Sequence, residues 1–189
     1  MATKIETPET KGHDESGVDS GEGVMERAIK KLRASTDPTQ PQLFEMKIGL
    51  PKEGRTAALL GATDRMWVNL KAYAEGGENT LHAHTNEDHT FIILAGRATF
   101  HGPEGKIATL GRNQGMLLPR GAHYHFHAEK GEPLVILRMG CIIDPGRDAW
   151  ERVGIDGKPL PGNSKENKSA PTVFYDDRVY ESGSPIPDP

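Results

Sequence analysis

From Phe44 onward the apolar residues come in short runs, many of them with a two-residue period, and turn residues interrupt them every few positions. The pattern predicts strands at 44–48, 66–74, 79–84, 90–94, 97–101, 106–110, 115–118, 124–127 and 133–140. Turns such as Glu75-Gly76-Gly77, Ala95-Gly96 and Gly102-Pro103-Glu104-Gly105 join them. Many short strands at near-regular spacing predict an all-β sandwich or barrel. Along 66–74, Met66, Val68, Leu70 and Ala72 alternate with Trp67, Asn69, Lys71 and Tyr73, so one face of that strand is apolar and the other largely polar. Whether the polar face meets solvent or substrate is open at this point. Before this region the period is helical once. Met25, Ala28, Ile29 and Leu32 predict a short amphipathic helix over 24–35, with Glu22 and Glu26 at its start and Lys30, Lys31 and Arg33 at its end, as the helix dipole favours. Its apolar stripe is expected to dock on the main domain, and Asp37-Pro38-Thr39-Gln40-Pro41 ends it.

The flanks differ in texture. Residues 1–23 hold no aromatic side chain and are rich in Glu, Asp, Thr, Ser and Gly, which predicts a disordered tail. The organisation expected is therefore a tail at 1–23, a helix and linker at 24–43, the β domain at 44–141, and an irregular C-terminal extension at 142–189. Trp150, Phe174, Tyr175 and Tyr180 are expected to pack that extension onto the barrel. With 189 residues, of which 35% are hydrophobic, the chain suits one domain, and 22 Gly with 14 Pro argue against a helical bundle. A net charge of -4 gives no basic field for a nucleic acid. No apolar run approaches the roughly 18 residues of a membrane span, and the first residues lack the apolar stretch of a signal peptide. The expectation is a soluble, cytoplasmic protein. The lone Cys141 cannot form an internal disulfide and reads as a small packed hydrophobe, so any metal must rest on His and oxygen donors.

Seven of the eight histidines fall between His82 and His127. His82 and His84 flank Ala83 at strand period, so both imidazoles leave the same face. His89 follows within hairpin reach, which would place three neutral nitrogen donors on two adjacent strands. Glu87 and Asp88, beside them in sequence, are candidates to orient an imidazole as hydrogen-bond acceptors. His101, beside a Gly-Pro turn, reads as structural.

Gly76, His82, His84 and Gly96 stand at the spacing of the first cupin motif, and over 66–139 the chain resembles the cupin superfamily. That resemblance implies a double-stranded β-helix, or jelly-roll barrel, with a metal inside it. His89 occupies the place where cupins usually carry a ligand Glu. In the second motif Pro119-Arg120-Gly121-Ala122 is followed by Tyr124 at the expected ligand position, flanked by His123 and His125. Strand alternation leaves two registers. Either Tyr124, Phe126 and Ala128 face the interior, or His123, His125 and His127 do. The apolar set suits an interior better, whereas alignment from the turn at Gly131 favours His125.

The candidate metal ligands are thus His82, His84 and His89, with Tyr124 or His125 completing the set and Tyr124 as the candidate catalytic residue. Three neutral imidazoles leave the full charge on a dication and favour an anionic oxygen ligand from a substrate. The resemblance implies one divalent metal per chain, Fe(II) first, with Mn, Ni, Cu or Zn also compatible. It also implies a dioxygenase-type reaction on a small chelating anion. A lyase or isomerase with Tyr124 as general base, and a non-catalytic small-ligand binder, are the alternatives. A homodimer is expected by the same resemblance, with no nucleic-acid or membrane partner.

Overall fold

In the computed structural model, residues 3–4, 13–14, 24–74, 79–160 and 172–181 are described. Strands β1 (Thr3–Lys4) and β2 (His13–Asp14) precede helix α1 (Val24–Ser35). There follow β3 (Gln42–Leu43), β4 (Lys47–Glu53), β5 (Arg55–Ala62), β6 (Met66–Tyr73), β7 (His82–His84) and β8 (Glu87–Ala95). The remainder are β9 (Arg97–Gly102), β10 (Gly105–Gly111), β11 (Gly115–Leu118), β12 (His125–Ala128), β13 (Leu134–Ile142), β14 (Arg152–Gly154) and β15 (Val173–Glu181). A six-stranded sheet in the order β11-β8-β13-β6-β5-β2 faces a three-stranded sheet, β10-β9-β12. This is the expected double-stranded β-helix. The expected tail at 1–23 lies outside the described residues apart from two short pairings, β1 with β3 and β2 with β5. The Glu75-Gly76-Gly77 turn also lies outside them.

Between the two sheets Tyr73, Phe91, Ile93, Phe100, Tyr124, Phe126, Leu134 and Ile136 form the barrel core. The inner faces supply these residues by strand alternation. On β8, for example, Glu87, His89, Phe91 and Ile93 point inward. Two further layers cover the large sheet. Ile29 and Leu32 of α1 pack with Ala57, Leu59, Trp67, Ile142 and Trp150 beside the inner face, so the amphipathic helix docks on the domain. Ile48 of β4 and Tyr180 of β15 cover Leu60, Leu70 and Ala72 on the other face.

Strand β5 has no counterpart among the predicted elements. Its sequence RTAALLGA is buried at every position because layers cover both faces, which erases the alternation that marks a half-exposed strand. The strand expected at 44–48 instead runs from Lys47 to Glu53, where β15 pairs with it through Pro51 and Gly49.

Two features seat the functional end of the barrel. Strand β7 pairs with β14 of the C-terminal extension on one side. On the other, His82 and Tyr124 exchange both backbone hydrogen bonds, at 3.1 and 2.9 Å. The buried Asn86 ties the extension down, donating to the carbonyls of Asp144 (2.9 Å) and Asp148 (3.1 Å) and accepting from the Asp144 amide (2.9 Å). Trp150 of the same extension meets Trp67 edge to face at 5.1 Å.

The indole of Trp67 lies across Gly140, its neighbour on β13, where an added Cβ would stand 2.3 Å from Trp67 Cζ2. Replacing Gly140 with Ala is therefore expected to push the indole aside and to destabilise the fold by about 1–3 kcal/mol, the usual cost of overpacking, read as a lower denaturant midpoint.

Candidate metal centre

Three strands build the site from their inward faces. β7 contributes His82 and His84, both buried, and β8 contributes Glu87 and His89 one pleat apart. From β13 comes Arg138, whose guanidinium reaches Glu87 Oε1. Tyr124, just before β12, is fully buried and turns its hydroxyl to His89 Nε2 at 3.2 Å.

Glu87 is at the centre of these contacts. Its Oε1 lies 3.0 Å from His84 Nδ1 and 3.4 Å from His89 Nδ1, while its Oε2 accepts from Trp67 Nε1 at 3.1 Å. The ligand atoms of His84, Glu87 and His89 all lie within 4.8 Å of one another. Neither imidazole nitrogen is aligned as a hydrogen bond to the carboxylate, and both are buried without a hydrogen-bond partner. Donor atoms about 2.1 Å from a shared ion stand about 3.0–3.4 Å apart, which is the spacing of Glu87 Oε1 from the two imidazoles, so the residues present fit a metal. His82 meets His84 edge to face at 5.2 Å and stands outside that group of three. Its Nδ1 contacts the Thr80 carbonyl at 2.7 Å, which leaves Nε2, buried and unpartnered, as the lone-pair nitrogen.

Arg138 sets the electrostatics. Its guanidinium is held among three rings, 4.8 Å from Trp67, 5.4 Å from Trp150 and 5.6 Å from Phe91. Besides Glu87 it contacts His84 Nε2 at 3.1 Å. The guanidinium has only donors, so this contact keeps the His84 proton on Nδ1. A metal at Nδ1 requires the other tautomer, and Arg138 must then yield its hold on Nε2. Burial is the largest cause, and Arg138 a further one, of pKa values held well below the ordinary imidazole range for His82 and His84. His89 is lowered for the same reasons. All three are neutral and able to act as ligands at physiological pH. Burial raises the Glu87 carboxyl, against the pull of Arg138, and raises the Tyr124 phenol.

The structure brings His82, His84, His89 and Tyr124 together and places His125 elsewhere. Of the two registers left open by alternation, Tyr124 and Phe126 face the core. His125 lies on the outer face, stacked on His101 at 4.9 Å, and the half-exposed His127 lies 5.2 Å from His101. His123 touches the Gly154 carbonyl at 3.3 Å. Asp88, on the alternate face of β8, accepts from the Arg120 amide at 2.7 Å and takes no part in the cluster. Glu87, expected to orient an imidazole, has its carboxylate among the donors themselves. Sequence reasoning missed Arg138. The available signal was a lone charge on the inward face of the apolar run LVILRMG. It left the polar side of β6 undecided, and the structure turns Trp67, Asn69 and Lys71 into the interior.

The family model of the cupin domain matches residues 69–140. No curated protein matches the chain. Among solved structures, a cupin superfamily protein from Desulfitobacterium hafniense is similar at 22% identity and TM-score 0.42, over 49% of this chain and 81% of that one. A protein with a double-stranded β-helix domain from Klebsiella pneumoniae is similar at 16% identity and TM-score 0.44, over 48% and 75%. KdgF from a Halomonas species is similar at 19% identity and TM-score 0.43, over 50% and 82%.

Lowered imidazole values have a consequence for stability. Below about pH 6.5 the unfolded chain takes up protons that the folded His82, His84 and His89 refuse, so stability falls as pH drops through that window. Glu87, raised by burial above its ordinary value, acts in the opposite sense and offsets part of this loss. Urea denaturation with a chelator present should show a loss of about 2–4 kcal/mol between pH 7 and pH 5.5. Equal stability at the two values would mean that the imidazoles titrate freely.

Proposed function

We propose, from the match of residues 69–140 to the cupin domain model and from the geometry of the site, that this chain is a metal-dependent cupin enzyme acting on a small chelating anion, with an Fe(II) dioxygenase-type reaction. The observation that carries this reading is the donor set itself: two imidazoles and one carboxylate, from His84, His89 and Glu87, converge in a buried site. Two His and one carboxylate with open positions are the characteristic donors of non-haem ferrous oxygenases. His84, Glu87 and His89 would hold the metal, with His82 as a further donor. When bound, ferrous iron supplies the electron transfer to dioxygen that side chains cannot perform.

The chain's own groups have definable tasks. Glu87 offsets part of the dication's charge, and Arg138 and Trp67 hold that carboxylate in place. If His89 turns Nδ1 toward the metal, its Nε2–H donates to the Tyr124 oxygen, which leaves the phenolic proton free to point at substrate. Phe91, Phe126 and Tyr73 close the inner wall and exclude water. A second reading, a lyase or isomerase in which Tyr124 moves the proton, draws support from that same hydroxyl beside the donors. Metal proteins of this kind also occur as homodimers, and we propose that assembly here.

Untagged protein should contain about one divalent metal per chain by elemental analysis, and the His82→Ala, His84→Ala double variant should stay folded but lose it. Full occupancy in that variant would sink the assignment. Tyr124→Phe should keep the metal and lower turnover by about 10- to 100-fold, the usual loss of a positioned proton donor. With a chelating enolate or hydroxy acid that is turned over, oxygen uptake in an electrode supports the dioxygenase, and turnover under nitrogen supports the lyase.

A further inference from the structure

Next to the metal donors, on the far side of Arg138, lies a second group of polar atoms that the proposed chemistry does not use. Asn69 is the direct cross-strand neighbour of Arg138, in a row that runs Leu59, Asn69, Arg138, Phe91. Its side chain is fully buried, and neither Nδ2 nor Oδ1 has a hydrogen-bond partner. A buried amide in that condition is costly, and native interiors satisfy such groups. Trp150, which covers this row from the C-terminal extension, also keeps its Nε1–H buried without a partner. Two cations pack against the Trp150 ring. The Arg138 guanidinium is 5.4 Å from the Trp150 ring, and the buried Lys71 ammonium is 6.0 Å from it and 5.5 Å from Tyr73.

The chemistry of these atoms selects a ligand. Indole, ammonium and guanidinium groups only donate, and Asn69 Nδ2 adds two more donors, so the group they take must offer acceptor oxygens. With Arg138 paired to Glu87, the ammonium of Lys71 is the further positive charge that favours an anion. Flat walls of Trp67 and Trp150 favour a planar one. Asn69 Oδ1 is the one acceptor and asks for a hydroxyl donor on the same molecule. We infer that Asn69, Lys71, Arg138 and Trp150 form a subsite for a small hydroxycarboxylate. The carboxylate lies against Trp150 Nε1 and the two cations, and the hydroxyl donates to Asn69 Oδ1. The ligand's polar groups are engaged on the far side of Arg138 from the donors, so this subsite rests on the metal reading only for its place beside the reaction centre, not for binding. Trp150 is partly exposed, so a ligand enters past its edge.

The two tryptophans of the chain both line this subsite, which makes intrinsic fluorescence a direct reporter. Lactate titrated into the full-length protein should give a saturable change, with propionate, which lacks the hydroxyl, about tenfold weaker and inorganic phosphate without effect. Asn69→Leu, with the same branching and heavy-atom count but no polar atom, should weaken lactate at least tenfold while the thermal midpoint without ligand stays level or rises, since an unsatisfied buried amide is gone. A purely structural Asn69 would instead lower the midpoint and leave affinity alone, which overturns the subsite. Should Asn69→Leu not fold, Trp150→Phe keeps the ring and removes the N–H, with Trp67 still reporting, and unchanged lactate affinity there overturns it as well. Equal affinity for lactate and propionate, or binding of phosphate as tight as lactate, overturns the hydroxycarboxylate assignment. Each titration is run on chelator-treated protein and on protein loaded with one equivalent of Fe(II) under nitrogen, with metal content measured in parallel. No lactate response in protein that retains its metal overturns the subsite alone. Lactate binding by protein that takes up no metal supports the subsite and overturns the metal reading alone.

Discussion

Everything at the working end of this barrel depends on the buried contact between Glu87 and Arg138. A carboxylate taken out of water needs a counter-charge and donors for its lone pairs, and here the guanidinium and the Trp67 indole supply them. Arg138 in turn is held by the rings of Trp67, Phe91 and Trp150, so packing fixes the direction from which it meets the carboxylate. Removing either partner of such a pair leaves an uncompensated charge in the interior, at about 3–5 kcal/mol. The same guanidinium helps keep the surrounding imidazoles neutral, the form in which they can bind a metal.

This arrangement uses three strands that are far apart in sequence but adjacent in the sheet. Trp67 on β6 faces Gly140 on β13, which faces His89 on β8, and the missing side chain at Gly140 lets the indole cross to Glu87. A glycine in the middle of an apolar strand thus decides where an acid on another strand can sit. On the next row Arg138 stands between Asn69 and Phe91, and its guanidinium reaches the donors from there. The donor cluster and the proposed hydroxycarboxylate subsite are neighbours of one cation.

The sequence made much of this legible through local spacing. His82 and His84 share a face because a strand repeats every two residues. Tyr124 faces inward because its alternating partner Phe126 belongs in a core, while His125 belongs on the outer face with His101. What could not be read is whatever depends on register between distant strands. Nothing near Glu87 in sequence distinguishes it from Asp88, yet one pleat separates a donor in the cluster from an acid that accepts a backbone amide. Arg138, Trp67 and Asn69 acquire their roles only when β6, β13 and β8 align. Strand β5 went unread for a related reason: with layers on both sides it has no polar face to mark it.

The bonding of β7 carries an implication for how the molecule assembles. The strand bearing His82 and His84 has only three residues, and its hydrogen-bonded neighbours are Tyr124 and the late strand β14. Those contacts close long stretches of chain, whereas the β8–β9 and β9–β10 connections are tight and local. The β6–β13 pairing closes as long a stretch but recovers that entropy over eight residue pairs, whereas β7 has three with β14, so β7 pairs only once the rest of the sheet is in place. The barrel would therefore take shape first, and the two histidines of β7 would be locked in as the segment around Asn86, Asp144 and Trp150 closes. On a ribosome, that step waits until the C-terminal extension has emerged, so a nascent chain ending near Ile142 would have a core without its finished site.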